Sequence, residues 1–231
     1  MILKLLWPEI CPFCGKVYRK GICPACKTKL EKLSISQPCC MKCGKPIERQ
    51  EQEYCHDCEN TKHYFDRGKA LWIHKPPVSH SIYQFKYHNQ RAFGKYYADE
   101  LSKRFETVIC EWNPDLIIPI PLHFQRKIKR GYNQSFIIAK ELGKIIHIPV
   151  NEKILKRIRY TNPQKKLDHS RRRRNLYNAF AVADIPVGIK KVLLIDDIYT
   201  TGNTINESAR KLKEAGVEKV FFLTVSIGQG Y

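Results

Sequence analysis

Two carboxylates side by side, Asp196 and Asp197, close the apolar run Val192, Leu193, Leu194 and Ile195. Tyr199, Thr200, Thr201, Gly202, Asn203 and Thr204 follow directly. These residue types suit a sugar phosphate. Threonine hydroxyls donate to phosphate oxygens, a glycine lets the backbone approach them, and a helix start adds unpaired amides and the positive end of a dipole. Adjacent carboxylates would repel that phosphate, so they must face ribose hydroxyls or a magnesium ion beside it. VLLIDDIYTTGNT therefore describes a ribose 5-phosphate site.

A second chemistry lies near the start of the chain. Four C-x-x-C pairs occur there: Cys11 and Cys14, Cys23 and Cys26, Cys40 and Cys43, Cys55 and Cys58. Each pair holds two thiolates on one side of a tight knuckle, and two knuckles complete a tetrahedral zinc site, so eight thiolates predict two Zn2+. Sequential pairing, Cys11 to Cys26 on one ion and Cys40 to Cys58 on the other, is the favoured arrangement. Crossed pairing satisfies the same spacing. Four thiolates leave no open coordination position, which makes both ions structural. Cys39 neighbours the second ligand set, and Cys110, near a helix end, reads as a small buried hydrophobe.

Periodicity shows the elements that must position these groups. Val192 to Ile195 is too short for a buried helix and reads as a central parallel strand. After the turn, Ile205, Ala209 and Leu212 share one helix face and Gly216 lies just past its end. Upstream, Asp115 to Ile120 reads as the first buried strand. Phe93, Tyr97, Leu101 and Phe105 mark a helix from about Arg91 to Cys110, and Ile138, Leu142 and Ile145 another from near Gln134. Val78 to Tyr87 fits a strand or a helix. Phe180 to Val182 should resume the sheet, and Glu218 to Val225 should end it. Alternating strands and helices imply an α/β fold with a doubly wound parallel sheet over residues 66–231. The zinc-ribbon domain, residues 1–65, should be autonomous, so that chelation unfolds it and leaves the later sheet formed.

A formal net charge of +19 points to a polyanionic partner such as nucleic acid or a highly phosphorylated substrate. Arg126, Lys127, Lys129 and Arg130 form a cationic loop at the sheet's carboxyl edge, placed for pyrophosphate. The run Arg171 to Arg174 sits in a polar excursion between Lys153 and Phe180, read as mobile and either closing over ligand or gripping nucleic acid. The opening MILKLLWPEI lacks a small-residue cleavage site and is not read as a signal peptide. Without such a signal, ten cysteines point to a reducing cytoplasm.

The stretch from Val192 to Thr204 resembles the phosphoribosyl pyrophosphate (PRPP) motif of type I phosphoribosyltransferases. QFKYH around Phe85 to Tyr87, PIPL at Pro119 to Leu122, RGYNQ at Arg130 to Gln134, the spacing of Arg157, Thr161 and Gln164, and RRRN at Arg172 to Asn175 occur in order with it. Together with the cysteine knuckles they resemble the ComF family over nearly the whole chain. That resemblance implies a type I phosphoribosyltransferase-like fold with an N-terminal double zinc ribbon. It implies PRPP with Mg2+, held by Asp196, Asp197, Tyr199, Thr200, Thr201, Gly202, Asn203 and Thr204, the two acids also being the catalytic candidates. Pyrophosphate or another anion would meet Arg126, Lys127, Arg130, Arg157, Arg172, Arg173 and Arg174. It also implies a cytoplasmic role in natural competence, with single-stranded DNA and other competence proteins as partners and no membrane insertion. Phosphoribosyl transfer is one expectation; a non-catalytic single-stranded DNA adaptor is the alternative.

Overall fold

Apolar runs without polar alternation become strands buried on both faces. In the computed structural model, which describes residues 10–18, 21–159 and 177–228, Val192 to Ile195 are wholly buried. In chain order the helices are α1 (Pro24–Glu31), α2 (His56–Asn60), α3 (Val78–Tyr87), α4 (Phe93–Trp112), α5 (Phe124–Arg130), α6 (Gln134–Ile146) and α7 (Asn203–Glu214). The strands are β1 (Arg67–Ile73), β2 (Leu116–Pro119), β3 (Leu155–Arg157), β4 (Phe180–Val182), β5 (Lys191–Tyr199) and β6 (Lys219–Ile227). Four strands form an all-parallel sheet in the order β1-β6-β5-β2.

Alternate residues of β5 serve opposite faces. Leu193 and Ile195 join α3, α4 and α6 in one core, while Val192 and Leu194 join α7 in the other. Helices thus cover both faces, the doubly wound arrangement in which ligands meet the carboxyl ends of the strands.

Several expectations change in three dimensions. Val78 to Tyr87 is a helix, because Val78, Ile82 and Phe85 at helical spacing are all buried. The basic segment before Gly131 is also a helix, α5, not a loop. Gly131 ends it at φ +81, donating its N–H to Lys127 O. Phe180 to Val182 does not rejoin the main sheet. It pairs antiparallel with β3, and only Phe180 of its three residues is buried, too little apolar surface for a central strand. Cys110 is exposed rather than buried.

The zinc ribbons pack on the sheet rather than standing apart from it. Phe13 and Leu30 belong to the core beneath α4, and Cys40, Cys43 and Cys55 to the core beneath α7. Their loops cover the outer edge of β1. Gly68 N–H donates to Lys42 O at 2.8 Å, Ile73 N–H to Leu33 O at 2.9 Å, and Ser34 bridges Trp72. An open parallel edge would template strand addition, and the ribbons block it. Gly44 (φ +75) allows that contact, since a Cβ there would stand 2.9 Å from Gly68 O.

Candidate functional site

The eight cysteines gather as Cys11, Cys14, Cys23 and Cys26, and as Cys40, Cys43, Cys55 and Cys58. Within each set the Sγ atoms lie within 4.8 Å of one another. Cys14 and Cys23 are 3.7 Å apart and Cys43 and Cys55 3.6 Å. A tetrahedron with Zn–S bonds of about 2.3 Å has edges of about 3.8 Å, so both sets fit zinc and the pairing is sequential.

At the carboxyl end of β5, the strand continues through both acids to Tyr199. Asp196 Oδ1 accepts from Ser135 Oγ at 2.9 Å and from Asp197 N–H at 2.9 Å. Asp197 Oδ2 stands 2.6 Å from Lys86 Nζ, in an ion pair whose side chains are 5% and 18% exposed. The turn before α6 positions Ser135: Asn133 accepts from Ser135 N–H at 3.2 Å and donates through Nδ2 to Ile120 O at 3.0 Å. Tyr132 OH donates to Phe85 O, tying the same turn to the helix that carries Lys86.

Crowding two carboxylates has an electrostatic consequence. Burial first, then the charge of Asp197, pushes Asp196 up to about 7, against the pull of Lys86, Ser135 and the Asp197 amide. Folded Asp196 therefore keeps a proton that the unfolded chain releases at about pH 4, so its contribution to stability falls as pH rises from there to about 7. Asp196→Asn, which never ionises, should gain more melting temperature over the wild type at pH 8 than at pH 4. Equal differences at the two pH values would contradict the assignment.

Beyond the acids, Gly202 (φ +73) caps α7 with no side-chain cap, and Asn206 N–H donates to its carbonyl at 2.7 Å. The first amides of α7 are left without helical acceptors. Thr201 Oγ1 and Asn203 Nδ2 are buried and have no hydrogen-bond partner among the described residues. A Cβ at Gly202 would lie 2.3 Å from Tyr199 Oη. Tyr199, grouped by sequence with the ligand-binding residues, is 2% exposed and stacks on Phe222 with centroids 4.9 Å apart. Its ring is the floor of the turn.

The cations divide. Arg157 stacks over Phe180 at 5.5 Å. Burial, then the charge of Arg126, lowers its guanidinium to about 10, while Asp196 opposes the shift, so Arg126, Arg157 and Asp196 share one neighbourhood. Arg130 instead donates to Gln134 and lies 5.0 Å over the Tyr87 ring. Lys127 is 3.9 Å from Glu152. Thr161, Gln164 and Arg171 to Arg174 lie outside the described residues. Two surface hollows, one lined by Glu48, Glu51 and Glu59, the other by Asn178, Lys211 and Glu214, contain neither the acids nor the turn.

Sequence reasoning missed Lys86 and Ser135 as site residues, although both lie in or beside stretches it singled out. No local signal marks either one, because each meets its acid only through contacts distant in sequence. Among the described residues no helix is long and apolar enough to cross a membrane.

Comparison with known proteins agrees with this geometry. The family profile described as "Double zinc ribbon domain" matches residues 2–59, and the "Phosphoribosyl transferase domain" profile matches residues 86–227. Competence protein F of Haemophilus influenzae is 32% identical, the alignment covering 88% of this chain and 89% of that protein. DNA utilization protein YhgH of Escherichia coli is 29% identical, covering 87% of each. Competence protein ComFC of Bacillus subtilis is 26% identical, covering 84% of this chain and 79% of that one. With two four-cysteine clusters, a doubly wound sheet and an acid pair leading into the Thr201–Thr204 turn, this chain belongs to the ComF family of competence-associated phosphoribosyltransferase-like proteins.

Proposed function

We propose that the carboxyl end of β5 binds PRPP or a closely related phosphoribosyl ligand. The unpartnered Thr201 Oγ1 and Asn203 Nδ2, beside the uncapped start of α7, carry this reading. They are buried donors without a partner, suited to the phosphate of a ligand whose ribose the neighbouring acids would hold. Asp197, held in place by Lys86, and Asp196, the more open acid, would both accept from ribose hydroxyls. Arg126 and Arg157 supply positive charge for pyrophosphate. Magnesium, held by Asp196 and the pyrophosphate, would supply charge neutralisation to that group.

For transfer, the bond from ribose C1 to pyrophosphate breaks and an acceptor bonds to C1. The negative charge of Asp197, and of Asp196 once it ionises, would favour the cationic sugar formed between the two events. The relatives' names, for competence and DNA utilization, support a DNA-handling setting for such a ligand.

Calorimetry with PRPP and magnesium tests the reading. The wild type should bind, and Gly202→Ala should abolish binding by forcing the turn off Tyr199. A wild type that does not bind, or a Gly202→Ala chain that binds equally, would sink it.

A second reading, single-stranded DNA binding, is favoured by an exposed platform on α3. Tyr83 and Tyr87 are 52% and 61% exposed with rings 5.0 Å apart. His88 lies 5.5 Å from Tyr83, and Arg130 covers one face of Tyr87. Bases stack on such rings at about 1–3 kcal/mol each, while clustered cations neutralise phosphates. Affinity for an oligonucleotide should fall steeply with salt, and Tyr87→Ala should weaken it without altering PRPP binding. A flat salt dependence excludes a phosphate-dominated interface.

A further inference from the structure

We propose that each zinc ribbon positions one half of the ligand site: the second through Phe65 and Tyr199 beneath the phosphate turn, the first through Phe13, Tyr97 and Phe85 behind Lys86.

The second relay starts inside a knuckle. Lys42, between the ligands Cys40 and Cys43, places its ammonium 5.8 Å over the Phe65 ring, and His63 stacks on the same ring at 4.7 Å. Phe65 meets Tyr199 edge-on at 6.2 Å and Phe222 at 5.0 Å. Tyr199 in turn leaves no clearance below Gly202, so any shift of its ring displaces the turn directly. A polar contact runs in parallel. Tyr64 N–H, just beyond the last ligand of this ribbon, donates to Asn206 Oδ1 at 2.6 Å in the first turn of α7.

The first relay lies on the other face of the sheet. Phe13, between the ligands Cys11 and Cys14, is 2% exposed and meets Trp72 at 5.5 Å, Tyr96 at 5.8 Å and Tyr97 at 6.4 Å. Tyr97 packs on Phe85 at 5.4 Å and bonds Ser81 Oγ at 2.5 Å, both on α3. Lys86, the residue after Phe85, reaches Asp197. Close-packed aromatic contacts transmit displacement because neither side can collapse into a void. The two cores meet the site from opposite faces, so each ion supports a different part of it.

This inference rests on the proposed PRPP site only for its binding readout. The test uses the full chain carrying Phe13→Leu or Phe65→Leu, with zinc content, amide hydrogen exchange and PRPP calorimetry measured on each. Asn206→Ala, which removes only the Tyr64 contact, serves as a milder second probe of the α7 side. All should keep two zinc ions per chain. Phe65→Leu and Asn206→Ala should speed exchange in the first turns of α7 and leave α3 unchanged, whereas Phe13→Leu should do the reverse. PRPP affinity should drop by about tenfold in Phe65→Leu, the size of one lost aromatic pair. Unchanged exchange in both helices, or equal loosening of both in every variant, overturns the inference. If the wild type does not bind PRPP, the functional reading fails, and the exchange pattern still decides the relay.

Discussion

Stripping zinc should unfold the chain as a whole, not its ribbons alone. A structural zinc site contributes about 10–16 kcal/mol of apparent folding free energy, against about 5–15 kcal/mol of net stability for a typical domain. Losing the ions would uncover Phe13 and Phe65, both at most 2% exposed, and free the outer edge of β1. A strong chelator should therefore lower the melting transition of the parallel sheet, followed by circular dichroism, together with that of the ribbons. Metal analysis should find two ions per chain beforehand. An unchanged sheet transition after complete zinc loss would show that the ribbons fold independently, and clearly fewer than two ions would contradict the pair of four-thiolate sites.

Asp197→Ala should be the most damaging single change in the ligand site. It leaves the Lys86 ammonium, 18% exposed, without its counter-charge, and breaking such a pair costs about 3–5 kcal/mol. It should also reduce PRPP affinity by about a hundredfold or more, as removal of a buried charged partner does. Stability and binding can be separated with Lys86→Met added to Asp197→Ala. The double variant should recover much of the melting temperature, because no unpaired charge remains, yet still fail to bind. A double variant that binds like the wild type would remove Asp197 from the ligand contacts and leave it a purely structural partner of Lys86.

Local chemistry made the most specific features legible from sequence. C-x-x-C spacing dictates a thiolate knuckle wherever it occurs, and the two four-cysteine sets assembled as their order suggested. Val192 to Ile195 could only be a buried strand, and Ile205, Ala209 and Leu212 could only be the inner face of a helix. The turn between them follows from Gly202 and its left-handed backbone.

Long-range contacts were invisible for a physical reason. Lys86 and Asp197 are 111 positions apart, the difference between their numbers, and no local pattern marks a lysine as the counter-ion of a distant acid. Ser135 likewise joins Asp196 only because α6 starts where the turn from β2 delivers it. The α5 cations showed the converse error. Grouped by sequence, they part in space: Arg126 shares the neighbourhood of Arg157 and Asp196, while Arg130 stacks on Tyr87 and Lys127 faces Glu152.

The sequence by itself determined the zinc ligands, the parallel sheet and the acid-and-threonine turn, because each is a matter of residue type at short spacing. Only the tertiary structure decided that the ribbons cover β1, that the Tyr199 ring lies directly beneath Gly202, and that Lys86 pairs with Asp197. Those outcomes depend on which surfaces are buried against which, and burial of a residue is set by partners far away in the chain.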